Sequence, residues 1–360
     1  MGPTLCSLFC ILAGEEPFTH QSFDGFKIDA KIALPTDGKV ARVMILLGGS
    51  GAYDMDLDLT EASEDKKTKI LWLKDLSEAL AARGFAVIRY HKRPYQMSLL
   101  NQAIQREKRM PTSDEIDLGS RFIENPLQHF VDDAKSFAEY ARKRYPEAKI
   151  HFLGASEGTH IALWAAHELG WISGVALVGF YALPLDSIMF EQTLHRDQMY
   201  FRHMDTDQDG SLTKRELHRG SKVGLALLQV FAAYDFDRDQ QLSLEEYKAF
   251  FLRKFSDILP QIQAYRLQEA KYPSMLEVLK HATFQVAFFQ GLWDNQTPTY
   301  NAYAMEVLDK YHWKKGFRFT YFPKLGHCLD PRKSPEDLFY TLIDPKALET
   351  LCKEADEFFK

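Results

Sequence analysis

Lys149-Ile-His-Phe-Leu-Gly154-Ala-Ser156-Glu-Gly158 is an apolar run that ends in Gly-x-Ser-x-Gly, and Thr159 to Leu169 after it has helical patterning. A strand turning directly into a helix through that pattern lifts a serine hydroxyl above a sheet edge and aims a helix N-terminus at it. The glycines allow the strand and helix to approach closely enough for the strained turn. The rest of the chain can be ordered around this turn.

Before it, Phe26 to Leu34 alternates as a half-buried strand does. Arg42-Val-Met-Ile-Leu-Leu47 and Phe85-Ala-Val-Ile-Arg-Tyr90 are buried strands. Ile70 to Arg83 and Leu127 to Tyr145 are amphipathic helices. After it come strands at 174–180, 284–289 and 317–322, a helix at 300–311 and a last helix from Pro345. Alternating strands and helices predict an α/β fold with a mainly parallel sheet flanked by helices. The alternation is interrupted from about Asp186 to Phe255, which is helical and charged. The expected organisation is an apolar leader or arm at 1–20, a core at 21–185, an all-α insertion at 186–256, and the rest of the core at 257–360.

A serine hydroxyl needs a base to act as a nucleophile near neutral pH. His327, in Lys324-Leu-Gly-His327, follows the last strand, and Asp294, in Gly291-Leu-Trp-Asp294, follows the preceding one. Both fall at carboxyl ends of strands, on the edge that carries Ser156. The order Ser, acid, His suits a triad on such a sheet. His91, His151 and His160 are nearer in sequence, but the latter two lie inside a strand and a helix. Asp330 follows the histidine and breaks the order. An oxyanion hole needs two backbone N–H groups. Glu157 would supply one, and Ser50 or Gly49, in the turn Leu47-Gly-Gly-Ser-Gly51, the other.

The insertion carries two runs with the calcium-loop pattern of acidic and hydroxyl residues. Asp205, Asp207, Asp209, Ser211 (through its carbonyl), Thr213 and Glu216 form the first ligand set, with Gly210 at the sharp turn. Asp235, Asp237, Asp239, Gln241 (carbonyl), Ser243 and Glu246 form the second. Gln240 replaces the turn glycine there and should strain that loop. Leu212 and Leu242 are expected to pair across the loops. The pair reads as two EF-hands with two Ca2+ sites, the second weaker.

Leu47-Gly-Gly-Ser-Gly-Ala-Tyr-Asp54-Met-Asp56, Ala82 to Tyr90 with Lys92-Arg93, and Ala155-Ser156-Glu157-Gly158 together resemble the α/β-hydrolase superfamily. The similarity is to bacterial carboxylesterases related to serine aminopeptidases and dienelactone hydrolases. Met55, His91 and Pro94 depart from that group, which has Arg, Asp and Gly there. The resemblance implies a serine hydrolase acting on small acyl esters, with the EF-hand pair in the position of the cap. A peptidase or amidase on the same triad would need a carboxylate for the substrate amine, for which Glu157 is the nearby candidate. An acyltransferase and a non-catalytic calcium-binding protein on a hydrolase scaffold are the other readings. Phe180, Tyr181, Trp293 and Tyr300 are expected near the mouth of the site.

Composition agrees with an ordinary globular chain: 360 residues, 46% hydrophobic and 26% charged. A net charge of −6 argues against a nucleic-acid partner, because phosphate binding needs concentrated Lys and Arg. No apolar run is long enough for a transmembrane helix. Cys6, Cys10, Cys328 and Cys352 have no metal-ligand spacing. Thr4 to Ala13 is either a short signal-peptide core, which would place the protein in the periplasm or outside the cell, or an apolar arm on a cytoplasmic protein.

Overall fold

A computed structural model describes residues 14–192, 196–218 and 222–360. The apolar segment at 4–13, with Cys6 and Cys10, lies outside the described residues. Eight strands form one sheet: β1 (Glu15–Gln21), β2 (Lys27–Ala33), β3 (Arg42–Leu47), β4 (Phe85–Tyr90), β5 (Lys149–Ala155), β6 (Gly174–Val178), β9 (Gln285–Gly291) and β10 (Arg318–Phe322). Their order is β1-β2-β4-β3-β5-β6-β9-β10. The pairs from β4 to β10 are parallel, and β1–β2 and β2–β4 are antiparallel.

The expected strands and the helix–strand alternation are present. Residues 15–20, assigned to an arm from sequence, instead form most of β1. Its Glu15 reaches Arg89 of β4 at 2.6 Å, and Arg89 also pairs with Asp56 at 2.8 Å.

Strand periodicity splits the core in two. Val43, Ile45 and Leu47 point to one face of the sheet, and Met44 and Leu46 to the other. The first face is covered by α4 (Pro126–Arg144) and α5 (Glu157–Leu169), with Phe137 and Trp164 packed on Phe152 and Ile88. The second is covered by α1 (Trp72–Ala81) and the C-terminal α13 (Pro345–Phe358), whose Trp72, Leu76 and Leu351 meet Val87 and Phe289. Between β4 and α4 lie α2 (Arg93–Arg106) and α3 (Ser113–Glu124), which the sequence reading did not assign. Only Arg93 and Ile104 of α2 are buried, so it shows little apolar periodicity.

Adjacent parallel strands β6 and β9 are joined by a long excursion. It contains α6 (Leu185–Glu191), α7 (Asp197–Met204), α8 (Lys214–His218), α9 (Lys222–Tyr234), α10 (Leu244–Glu269) and α11 (Met275–Lys280). α12 (Tyr300–Leu308) follows β9. Two short strands, β7 (Ser211–Thr213) and β8 (Gln241–Ser243), pair antiparallel with Leu212 opposite Leu242, as expected. Phe201, Met204, Leu212, Leu227, Phe231, Tyr247 and Phe250 form a third core separate from the sheet. α10 runs unbroken through residue 256 and on to Glu269, with Pro260 inside it. Among the described residues no helix is long and apolar enough to cross a membrane.

Backbone packs closely against backbone where β5, α5 and β3 meet. A Cβ on Gly154 would stand 2.2 Å from the Gly158 carbonyl oxygen, and one on Gly158 would stand 2.2 Å from that of Leu47. Both obstacles are backbone, which cannot swing aside. Gly158→Ala is therefore expected to destabilise the protein by about 3 kcal/mol or more, read as a lowered denaturant midpoint.

Candidate active site

Ser156 is the residue between β5 and α5, with φ 53° and ψ −124°. A non-glycine residue in that region is strained, and such strain persists only where surroundings hold it. Its N–H donates to the Val178 carbonyl at 2.9 Å. The packing of Gly154 and Gly158 closes the turn from either side.

Asp294 follows β9 and is fully enclosed. Its Oδ1 accepts the N–H groups of Gln296 (2.8 Å) and Thr297 (2.9 Å). Its Oδ2 accepts from Gln290 Nε2 (2.9 Å), Thr297 Oγ1 (2.7 Å) and His327 Nδ1 (2.8 Å). Burial alone would raise the pKa of this carboxyl. The charge and hydrogen bond of His327, with Thr297, outweigh burial and hold it below its ordinary value. A carboxylate on Nδ1 fixes the ring tautomer that leaves Nε2 available. The ring rests on Gly179 (φ 61°), where a Cβ would meet His327 Cε1 at 2.7 Å.

Ser156 and His327 line one cavity of about 140 Å³ with Gly49, Ser50, Tyr53, Trp72, Cys328, Tyr340, Gln192 and Gln296. Gly49 is against the serine: a Cβ there would stand 3.0 Å from Ser156 Cβ. The structure thus brings together Ser156, His327, Asp294, Gly49, Ser50 and the start of α5 at Glu157.

The competing residues are placed elsewhere. His151 is wholly buried in β5, where burial lowers its pKa to about 3. His160 is bonded to the Tyr181 carbonyl at 2.7 Å. The Nδ1 of His91 accepts the Met55 N–H at 2.9 Å. Asp330 binds Arg332 at 3.0 Å and accepts from the Cys328 and Thr341 N–H groups, not from His327.

The aromatic expectation needs correction. Phe180 and Tyr181 are 0% and 2% exposed and belong to the core, against Phe288 and His160. Trp293 and Tyr300 line a neighbouring cavity of about 300 Å³, which meets the first at Gln192 and Gln296. Tyr53, Trp72 and Tyr340 are the aromatic residues around Ser156, and they come from three loops or helices far apart in sequence. Gln192 Nε2 donates to the Gln296 carbonyl at 2.8 Å between the two cavities.

Glu157 also differs from expectation. The residue is buried, and its carboxylate is bound by Lys92 Nζ at 2.5 Å and by the Tyr265 hydroxyl of α10 at 2.5 Å. Each of its oxygens already has a donor. Burial opposes its charge, but Lys92 and Tyr265 overcome that and lower its pKa. Lys92 Nζ donates as well to the Gly49 carbonyl at 2.6 Å. The pattern of single residues gave no sign of these contacts, which span 65 and 108 positions.

Two acidic loops lie apart from this site. Carboxylate oxygens of Asp205, Asp207 and Asp209 are within 4.8 Å of one another, and so are those of Asp235, Asp237 and Asp239. Glu216 and Glu246 cap the following helices, accepting from Thr213 and Ser243 (N–H 2.9 and 2.8 Å) and, across each loop, from Thr206 (2.8 Å) and Phe236 (2.6 Å). Asp235 Oδ1 is buried with no hydrogen-bond donor. A convergent set of hard oxygens with an unused buried acceptor fits a hard cation. Gln240 stands at φ 70° where the first loop has Gly210 at φ 85°. That supports the strain expected from the sequence.

No family model matches the chain. Esterase EstD of Thermotoga maritima is 25% identical to it over 177 residues, which are 49% of this chain and 36% of that protein. The chain thus matches about a third of that relative's length. Among solved structures, a lipase in its open form has a TM-score of 0.51 at 15% identity, covering 96% of this chain and 98% of its own. Est1E from Butyrivibrio proteoclasticus has a TM-score of 0.50 at 14% identity, covering 95% and 96%. Pyrococcus horikoshii acylaminoacyl peptidase also reaches 0.50, at 17% identity, covering 97% of this chain and 41% of its own. The sheet order and these likenesses define an α/β-hydrolase fold.

Glu269, at the end of α10, is buried and pushed up to about 7, first by burial and then by Asp186 and Glu157, against the Leu185 N–H and Arg266. His160 is 3.9 Å away. A carboxyl raised on folding adds stability that is full below its unfolded value, near 4.5, and is lost as pH rises through about 7. Wild type should therefore lose melting temperature from pH 4.5 to 7.5 relative to Glu269→Gln, in parallel thermal melts.

Proposed function

We propose that the protein is a serine carboxylesterase with a calcium-binding EF-hand pair in the cap position. The observation that carries the catalytic reading is the 2.8 Å hydrogen bond from His327 Nδ1 to buried Asp294, with His327 and the strained Ser156 facing one cavity. EstD, the esterase with which the chain aligns, is consistent with it.

In the reaction, Ser156 Oγ attacks the acyl carbon and His327 Nε2 takes its proton. The carbonyl electron pair becomes an oxyanion, held by backbone N–H groups at Glu157 and at Ser50 or Gly49. Collapse breaks the ester C–O bond, and the alcohol leaves with the proton from His327. Water then loses a proton to His327 and attacks the acyl-enzyme, and collapse breaks the bond from the acyl carbon to Ser156 Oγ, releasing the acid while the proton from His327 returns to Oγ. Asp294 keeps its charge throughout and stabilises the imidazolium. Esters are favoured over peptides because the Glu157 carboxylate, which would hold a substrate amine, is bound by Lys92 and Tyr265.

A fluorophosphonate probe should label wild type at Ser156, located by peptide mass spectrometry. Ser156→Ala should lose the label and lower kcat on 4-nitrophenyl butyrate by about 10⁴-fold or more. Unlabelled wild type would rule out the triad.

Asp205, Asp207, Asp209, the Ser211 carbonyl, Thr213 and Glu216 would hold one Ca2+, and Asp235, Asp237, Asp239, the Gln241 carbonyl, Ser243 and Glu246 a second. Bound calcium would neutralise the clustered carboxylates and order the two loops joined by β7 and β8. Calorimetric titration should show two sites in wild type and one in Asp205→Ala. Calcium should also raise the melting temperature, as a ligand of the folded state does. A flat titration with unchanged melting would remove calcium from the description.

A further inference from the structure

We propose that Lys92 is a positioning residue for the oxyanion hole, fixing both of its backbone donors through the Gly49 carbonyl and the Glu157 carboxylate, with Tyr265 of α10 as the outer support. The inference rests on the serine-esterase reading and goes beyond it by naming what holds the hole in shape. It also selects Ser50 over Gly49 as the second donor.

The peptide linking Gly49 to Ser50 carries the Gly49 carbonyl and the Ser50 N–H. No described peptide bond is cis. In a trans peptide the C=O and the following N–H point in opposite directions. Lys92 Nζ holds the Gly49 oxygen at 2.6 Å. The Ser50 N–H therefore points away from Lys92, and Gly49, Ser50 and Ser156 line the cavity while Lys92 does not. Without that tie the peptide of a glycine-rich turn could rotate, and the donor would swing off.

The same ammonium reaches the other half of the hole. It lies 2.5 Å from Glu157 Oε2, while the Tyr265 hydroxyl is 2.5 Å from Oε1. Glu157 begins α5, so anchoring its buried side chain at both oxygens fixes the first residue of the helix and with it the backbone N–H. Charge matters as much as position. An unpaired carboxylate beside a developing oxyanion would oppose the reaction, and Lys92 cancels it. Lys92 is itself fixed, by its N–H on the Tyr53 carbonyl at 3.1 Å and by its ammonium 4.4 Å from the centre of the Phe130 ring. One cation thus joins the turn after β3, the start of α5 and, through Tyr265, the long helix of the excursion.

The test compares a substrate with a mimic of the tetrahedral intermediate. Wild type is first labelled with a fluorophosphonate, and failure of that step counts against the esterase reading rather than this one. With labelling established, Lys92→Met is expected to lower kcat on 4-nitrophenyl butyrate by about 10- to 100-fold, less than deleting a donor outright, with KM unchanged. An aryl trifluoromethyl ketone, which adds to the serine and places an oxyanion in the hole, should bind more weakly by the same factor. Lys92→Arg, which keeps a cation able to donate to both oxygens, should recover most of the loss. If the unpaired Glu157 prevents Lys92→Met from folding, the uncharged double variant Lys92→Met/Glu157→Gln carries the same comparison. Unchanged kcat, or a loss of kcat with ketone affinity retained, would overturn the assignment, because a merely structural lysine would not weaken the mimic selectively.

Discussion

The contact on which the site depends is backbone against backbone, where α5 meets β3 and β5 at Gly154 and Gly158. There the peptide of Gly158 approaches Leu47 more closely than any side chain would allow. That approach forces the chain through the left-handed conformation at Ser156. It also sets the distance from Ser156 to the turn after β3. Packing here is of backbone with no rotamers to adjust, so the strain at one residue is held by two sheet strands and a helix.

Around that contact the polar groups are arranged in two shells of opposite character. On the cavity side stand Ser156, His327 and the Gly-rich turn at Gly49 and Ser50. Behind them lie fully satisfied groups: Asp294 with its five hydrogen bonds, and Glu157 with Lys92 and Tyr265. A buried charge is costly unless paired and bonded. Here the pairing also fixes orientation, since each charged group has its freedom removed by several partners. His91 binds the Met55 amide, so two of the departures from the carboxylesterase pattern touch each other.

Most of the α/β core was legible in sequence because its signals are local. β3 and β4 were readable to the residue, being continuous apolar runs bounded by turns. Ser156, Asp294 and His327 could be named because each follows a strand, and topology places those ends together. β1 was missed because it is an edge strand, contains Pro17, and is half exposed. α2 was missed because its buried residues, Arg93 and Ile104, form no apolar stripe. Phe180 and Tyr181 were misplaced because an aromatic residue near a strand end has the same sequence signature whether it faces a cavity or the core. The roles of Lys92 and Tyr265 have no local signature at all. They exist only once strands β3, β4 and β5 and helix α10 are assembled.

The third hydrophobic core has a consequence for how such a chain can arise and fold. Roughly 100 residues separate β6 from β9, yet these strands pair directly. Loop-closure entropy grows only with the logarithm of length, so replacing a ten-residue link by one of this size costs about 2 kcal/mol. A segment with its own apolar interior can repay a debt of that size. The sheet therefore tolerates a self-sufficient module between two adjacent strands, and its register is indifferent to what that module contains. Where α10 returns to the sheet, with Tyr265 bonded to Glu157 and Gln268 accepting the Leu127 N–H, the inserted sequence becomes answerable to the core.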